Sequence, residues 1–351
     1  MKVNKKLLSG NKPDPMRKMG EFKQRLFERI KVIDEEEELN YGSSPEGRSV
    51  KDLLEYGFIP LDKPVGQTSQ QVDSWVKHML KAEKAGHSGT LDPQVSGLLP
   101  IGLNSATKAL GALLLGSKTY IAVMKVHQNI DETSVRRVLK EFTGPIYQWP
   151  PMRSAVKRQR RIKNIYEINV EEVDQQLFLL NIKCEAGTYV RKLIYDIGEV
   201  LETGATMIDL RRTRVADLDE SQGFVKLLDI RIAQDALERR GDEGPLRSAV
   251  KPIEIALTHL GSIVCKDSAV ESLCQGAYLA IPGVIGFDPR IRKGDTLAIY
   301  TQKGEVIALA TAKMDAHDIE ESPRGIVATV NRVIMKAGAY PRMWKKSDMN
   351  R

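Results

Sequence analysis

FIPLDKPVGQTSQQVDSWVKHMLKAEKAGHSGTLDP, residues 58–93, passes from strand to turn to helix to shaped loop. Phe58, Ile59 and Leu61 lead into Asp62-Lys63-Pro64-Val65-Gly66, a short apolar strand ended by a Pro/Gly turn. Thr68 with Gln71 fits a capping box, and Val72, Trp75, Val76, Met79 and Leu80 fall on one face at helical spacing. That stripe predicts a helix packed on a core. AGHSGTLDP at 85–93 then carries neither the helical nor the strand period. Two glycines with a serine and a threonine make a shaped loop, and the residue before Pro93 is pushed toward an extended backbone. Asp92 is therefore presented rather than packed. An Asx-type turn, in which Asp92 only bonds nearby amides, is the plainer reading of an Asp-Pro pair.

Outward from this stretch, Lys118 to Val126 (KTYIAVMKV) is apolar on both alternating sets, as in a strand covered on both faces. Leu177 to Cys184 reads as a further strand. After Gly187-Thr188 a helix follows, with Val190, Leu193, Ile194, Ile197 and Leu201 on its buried face. Arg191 then sits in the first turn and points elsewhere, where the helix dipole disfavours a cation, so it calls for another partner. Strands and helices mix without a strict β-α-β repeat, which predicts an α+β sheet domain rather than a doubly wound one. Near 238–252 the chain turns polar and turn-forming, and beyond it Ser262–Cys265, Thr296–Tyr300, Val306–Ala310 and Ile326–Val330 are short apolar segments between Gly, Pro and Asp turns. That spacing marks a small β-barrel or sandwich. The expected organisation is a charge-rich arm at 1–56, peripheral or wrapped on the C-terminal domain, a main domain at 57–250, a small β domain at 251–335 and a basic tail at 336–351.

The whole chain has 351 residues, a size for about two domains, and 42 % hydrophobic residues, enough for real cores. Lys and Arg exceed Asp and Glu by 53 to 46, a formal charge of +7, which leaves polyanions open as partners without selecting one. Cys184, Cys265 and Cys274 form no C-x-x-C pair and are odd in number, against a disulfide framework or a cysteine zinc site. The five histidines, His78, His87, His127, His259 and His317, are dispersed, so no metal site is expected. Neither a G-x-x-x-x-G-K-[ST] nor a G-x-G-x-x-G motif occurs, against nucleotide binding of those kinds. With no signal-peptide pattern and no apolar run of spanning length, a soluble intracellular protein is expected.

Asp62-Lys63-Pro64 with Gly66 and Thr68-Ser69, GHSGTLDP at 86–93, Lys118-Thr119-Tyr120, GTYVRKLIYDIG at 187–198 and Leu210-Arg211-Arg212-Thr213-Arg214 occur in the order that marks TruB-type pseudouridine synthases. The chain resembles that family. PPMRSAVKRQRRIKNIYEI at 150–168, the N-terminal arm and a tail resembling a PUA domain (Gly276-Ala277, Ile281-Pro282-Gly283-Val284, Lys293-Gly294-Asp295) bring it close to the dyskerin branch, in archaeal form. Gln94 stands where that branch carries a basic residue, so one backbone contact is not carried over.

The resemblance implies a mixed, mainly antiparallel catalytic sheet with a C-terminal PUA barrel, and cofactor-free isomerisation of uridine to pseudouridine in rRNA or tRNA. It implies Asp92 as the essential nucleophile or base, Arg191 as its forked partner, and Tyr120 as a stacking ring whose hydroxyl assists proton removal at C5. His87 becomes a platform for the extruded base, Leu210 an apolar wall of the uracil pocket and Lys63 a supporting substrate-side residue, with stabilisation of the loop from beneath as the plainer reading of Lys63. The acid-free basic run Arg153, Lys157, Arg158, Arg160, Arg161 and Lys163 is expected to meet phosphates from a loop closing over substrate. Implied partners are box H/ACA guide RNA, rRNA and tRNA, the small H/ACA core proteins and a kink-turn-binding ribosomal protein, with no membrane. A stand-alone tRNA pseudouridine-55 synthase, and a ribonucleoprotein scaffold that chiefly binds guide RNA, are the alternatives.

Overall fold

Gly97 decides how the larger unit is wired. Its φ is +102°, and a Cβ there would stand 2.2 Å from the Arg212 carbonyl oxygen, so only glycine allows the two backbones to meet. At this point Ser96–Leu103 runs parallel to Ala205–Val215, through Ser96 opposite Arg211 and Gly97 opposite Arg212. The other pairings along the sheet are antiparallel. The structure, a computed structural model, describes residues 24–35, 40–150 and 159–342. Arg153, Lys157 and Arg158 of the basic run, part of the Asp34–Glu38 acidic run, the first residues of the arm and most of the basic tail lie outside the described residues.

The chain divides into a unit at 54–259 and a unit formed by 1–53 with 260–351. In the first, the described residues build a nine-stranded sheet ordered Lys251–Pro252, Gly57–Lys63, Ser96–Leu103, Ala205–Val215, Lys118–Val126, Leu177–Cys184, Arg161–Asp174 and Gly144–Gln148, with Ala85–His87 beside Ser96–Leu103. The mixed, mainly antiparallel α+β sheet is the one expected. The capping box is present: Thr68 Oγ1 accepts from the Gln71 amide and the Gln71 side chain accepts from the Thr68 amide. Val72, Val76 and Leu80 are buried, but Trp75 is 44 % exposed. The residues four apart face the core, and Trp75 lies at the margin of that row. Lys118–Val126 also departs from the doubly covered strand: Lys118, Ala122, Met124 and Val126 are buried while Thr119, Tyr120, Ile121 and Val123 stay partly open. That opening admits Tyr120 to a site.

The unit extends to His259 rather than 250. Lys251 and Pro252 pair with Phe58 and Gly57, and Ile253, Ala256 and Leu257 bury apolar surface behind them. The polar stretch near 240 is a turn between helices Leu227–Arg240 and Gly244–Ala249, with Gly241 left-handed at the first helix's end. In the smaller unit the described residues build a seven-stranded sheet ordered Lys31–Val32, Val284–Phe287, Gly261–Cys265, Thr296–Tyr300, Val306–Ala312, Ile326–Val333 and Leu279–Ala280, packed over Ile263, Phe287, Leu297, Ile299, Ile307 and Val327. The arm contributes its edge strand, Lys31–Val32, opposite Phe287 and Gly286, and Asp34 pairs with Lys266 at 2.6 Å.

Candidate active site

The loop that carries Asp92 is tied down on every side except the one Asp92 faces. Ser88 N donates to Pro100 O at 2.9 Å, and Gly66 N to Pro93 O at 2.7 Å. Ser69 Oγ both accepts from Leu91 N and donates to Leu91 O, each at 3.0 Å. Lys63 is fully buried and its Nζ donates to Pro64 O, Pro93 O and Val95 O at 2.9, 3.3 and 2.9 Å. Burial pulls the Lys63 pKa down, and the nearby Asp92 charge pushes it back up. Its expected contact with substrate is corrected here: with no exposed surface and three backbone carbonyls to serve, Lys63 supports the loop from beneath.

Arg212, at 2 % exposure, holds the opposite flank. Its Nε donates to Leu98 O at 2.8 Å and its Nη2 to Gly89 O at 3.0 Å, where Gly89 has φ +83°. Opposite it in the sheet stands Tyr120, whose hydroxyl lies within electrostatic reach of the Arg212 guanidinium. Burial raises the Tyr120 pKa, Arg212 opposes the rise and Asp92 adds to it, so the phenol keeps its proton at neutral pH. Leu210, two residues before Arg212 and opposite Ala122, is buried on the same face. Next along the strand, Arg211 grips Asp62 through two bonds of 2.8 and 3.0 Å and so fixes the strand end ahead of Lys63.

Asp92 itself has 67 % of its side chain exposed. Arg191 reaches it, but as one Nη2–Oδ2 approach at 3.5 Å rather than the expected fork. Both groups are open to solvent, so neither is forced into the planar pairing that burial imposes. Arg191 rides on helix Val190–Val200, and the entry to that helix is braced by buried Gln148, which accepts from Tyr189 N at 3.0 Å and donates to Tyr189 O at 3.1 Å. Lys163 braces the preceding turn, donating to Glu185 Oε1 and Ala186 O at 2.7 Å each. Burial would raise the Glu185 pKa, but Lys163 and Asn164 hold it below the usual carboxylate range. Lys163 is thus spent within the fold, a second correction, because its ammonium is already paired. Of the basic run, Arg160 is exposed, with its guanidinium 4.8 Å from the Tyr147 ring centre, and Arg161 is partly exposed.

His87 closes the other end of the loop, with Nδ1 2.6 Å from Asp73 Oδ2 and Nε2 3.1 Å from Thr90 Oγ1. The residues missed from the sequence are Arg212, Gln148, Ser69 and Asp73. Arg212 had a signal: in Leu210-Arg211-Arg212 it shares a face with Leu210, an apolar position.

Lys118, the lysine of the Lys-Thr-Tyr motif, caps helix Leu110–Leu115 by donating to Leu113 O, Leu114 O and Gly116 O. Burial first, then Arg212, lowers its pKa from 10.5 to about 8. Between those values the unfolded chain binds more protons than the folded one, so this group makes stability rise with pH there. Wild type measured against Lys118→Met in urea should gain relative stability from pH 8 to 10. A flat difference rules the depressed lysine out.

A single presented carboxylate with an arginine and a phenol near it, on a mixed sheet in a chain that also carries a small β domain, is the arrangement the resemblance to pseudouridine synthases implies, and the comparisons with known proteins name the class. TruB family pseudouridylate synthase (N terminal domain) matches residues 77–190, tRNA pseudouridylate synthase B C-terminal domain 191–258, PUA domain 261–334 and DKCLD (NUC011) domain 28–73. The chain belongs to the TruB family of pseudouridylate synthases, in the dyskerin branch, and is an RNA pseudouridine synthase. It is 47 % identical over 306 residues to "Probable tRNA pseudouridine synthase B" of Methanothermobacter thermautotrophicus, covering 87 % of this chain and 94 % of the relative. The Methanocaldococcus jannaschii protein of the same description is 43 % identical over 317 residues, covering 90 % and 94 %. A chain of a crystallised Cbf5-Nop10-Gar1 complex superimposes with a TM-score of 0.85 at 41 % identity, over 89 % of this chain and 95 % of that one. A chain of an H/ACA RNP bound to a substrate RNA containing 2'-deoxyuridine gives 0.84 at 39 %, over 90 % and 97 %.

Proposed function

We propose that this synthase acts as the catalytic subunit of a box H/ACA ribonucleoprotein, isomerising uridines that a guide RNA selects. The observation that carries the reading is the likeness, over nearly the full length of both chains, to the Cbf5-Nop10-Gar1 complex chain. Guide RNA, rRNA and small H/ACA core proteins are then its partners, and a kink-turn-binding ribosomal protein joins them. A cytoplasmic site of action fits: among the described residues no helix is long and apolar enough to cross a membrane.

The isomerisation breaks the bond between C1' and N1 and forms one between C1' and C5. N1 gains a proton and C5 loses one, so the reaction is redox-neutral. Asp92, ionised and exposed, is the nucleophile or base acting on the sugar or the ring. Arg191 steadies that carboxylate, Tyr120 stacks the extruded uracil and its hydroxyl serves the C5 proton, and Leu210 gives an apolar wall. Arg160 and Arg161, with Arg153, Lys157 and Arg158, meet phosphates. In the PUA unit, exposed Tyr278, in the stretch Gly276 to Val284, offers a single-stranded guide a flat ring.

The description of its relatives as tRNA pseudouridine synthase B favours a second reading, stand-alone action on tRNA. Both are read in one experiment: full-length protein with a tRNA alone, and with guide RNA, core proteins and a target rRNA fragment, scored for pseudouridine. Guide-dependent product on the rRNA fragment is expected. Product on tRNA alone with none on rRNA favours the stand-alone enzyme, and guide binding without product in either arm favours a scaffold.

A further inference from the structure

Helix Ser69–Met79 lays two polar side chains, four residues apart and hence on one face, against the two ends of the active-site loop. Ser69 holds Leu91, next to Asp92, through its backbone amide and carbonyl. One turn along, Asp73 Oδ2 lies 2.6 Å from His87 Nδ1, and both side chains are largely covered, at 15 % and 14 % exposure. The second oxygen, Asp73 Oδ1, is buried without a hydrogen-bond partner. Such a carboxylate gives up hydration on one oxygen, a cost that a surface position would avoid, and the imidazole N–H is what offsets it.

An ionised carboxylate only accepts, so Nδ1 must carry the hydrogen of this bond. The far nitrogen, Nε2, then meets the Thr90 hydroxyl at 3.1 Å, as acceptor when the ring is neutral and as donor when it is charged. In either state the ring is pinned at both nitrogens. An imidazole lacking Asp73 is free to exchange tautomers and to turn about its terminal torsion, which is broad and shallow.

We infer that Asp73 is a positioning residue of the synthase, fixing the tautomer and the plane of His87 before RNA arrives, so that the platform and Asp92 are presented as one rigid span splinted by helix Ser69–Met79. The inference rests on the reading of His87 as a surface that RNA meets. Ordering a side chain in advance spares its entropy at binding, which is worth about threefold to tenfold in affinity for one side chain. Asp73 touches no reacting atom, so its effect falls on KM rather than kcat.

The test uses the full-length protein. Long-range proton–nitrogen NMR of histidine-labelled protein, with His87 assigned by its absence in His87→Gln, should show the Nδ1-protonated pattern in wild type and in Asp73→Asn. In Asp73→Val it should shift toward the Nε2-protonated pattern. On target RNA, Asp73→Val should raise KM about threefold to tenfold with kcat within about twofold, Asp73→Asn should recover most of the loss, and Asp73→Val in a His87→Ala background should add nothing further. An unchanged His87 pattern in Asp73→Val overturns the positioning role, as does multiplication of the two effects. An unchanged KM in His87→Ala overturns instead the RNA-facing reading of His87, and with it the consequence for binding.

Discussion

Asp92→Asn should abolish isomerisation, with single-turnover pseudouridine formation falling by about four orders of magnitude, while the melting temperature and the affinity for RNA stay near wild type. The two halves of this expectation come from different features of one position. The side chain is mostly in solvent and meets Arg191 only at 3.5 Å, so no packed surface is lost and the stability change should stay within about 0.5 kcal/mol. The fold spends its bonds on the backbone around Asp92: Leu91 on Ser69, Pro93 on Gly66 and Lys63, and Asp92 O on Val95 N. An amide of equal size keeps that frame and loses the negative oxygen. Measured turnover within about tenfold of wild type, with folding intact, removes Asp92 from the chemistry and leaves RNA binding as the main service of the chain.

Much of this site was legible because its local structure is encoded locally. The capping box at Thr68 and Gln71, the apolar row Val72, Val76 and Leu80, the Asp-Pro end of the loop and Arg191 in a first helical turn all depend on residues within a few positions of one another. The parts that stayed hidden depend on sheet order. Nothing local to Arg212 says that its strand will run beside Ser96–Leu103, yet that pairing is what delivers its guanidinium to Gly89 O and Leu98 O. Lys163 read as one more cation in a basic run because its partner, Glu185, lies across a strand pairing. Trp75 marks the limit of periodicity, which locates a helical face to within one row but not its edges.

Lys63→Met is the second large effect, and it separates support of the loop from contact with RNA. Methionine fills a similar volume, so the change is chiefly the loss of donors. Pro93 O keeps the Gly66 amide at 2.7 Å, whereas Pro64 O and Val95 O lose the Lys63 ammonium. The buried Val95 carbonyl left unsatisfied costs about 1–3 kcal/mol, while the carbonyl of exposed Pro64 can take up water, and the loss is reduced further because a cation need no longer be buried. Urea unfolding should place the variant in the lower half of that range. Val95 closes the Asp92 turn, with its amide on Asp92 O, and a shift of the Asp92 backbone by an ångström should lower kcat by about 10²-fold. RNA affinity and its salt dependence should not move, since a fully buried ammonium reaches no phosphate. If affinity weakened and the salt slope flattened with kcat intact, Lys63 would belong to the RNA surface after all, and the loop would owe its shape to Ser69 and Arg212 alone.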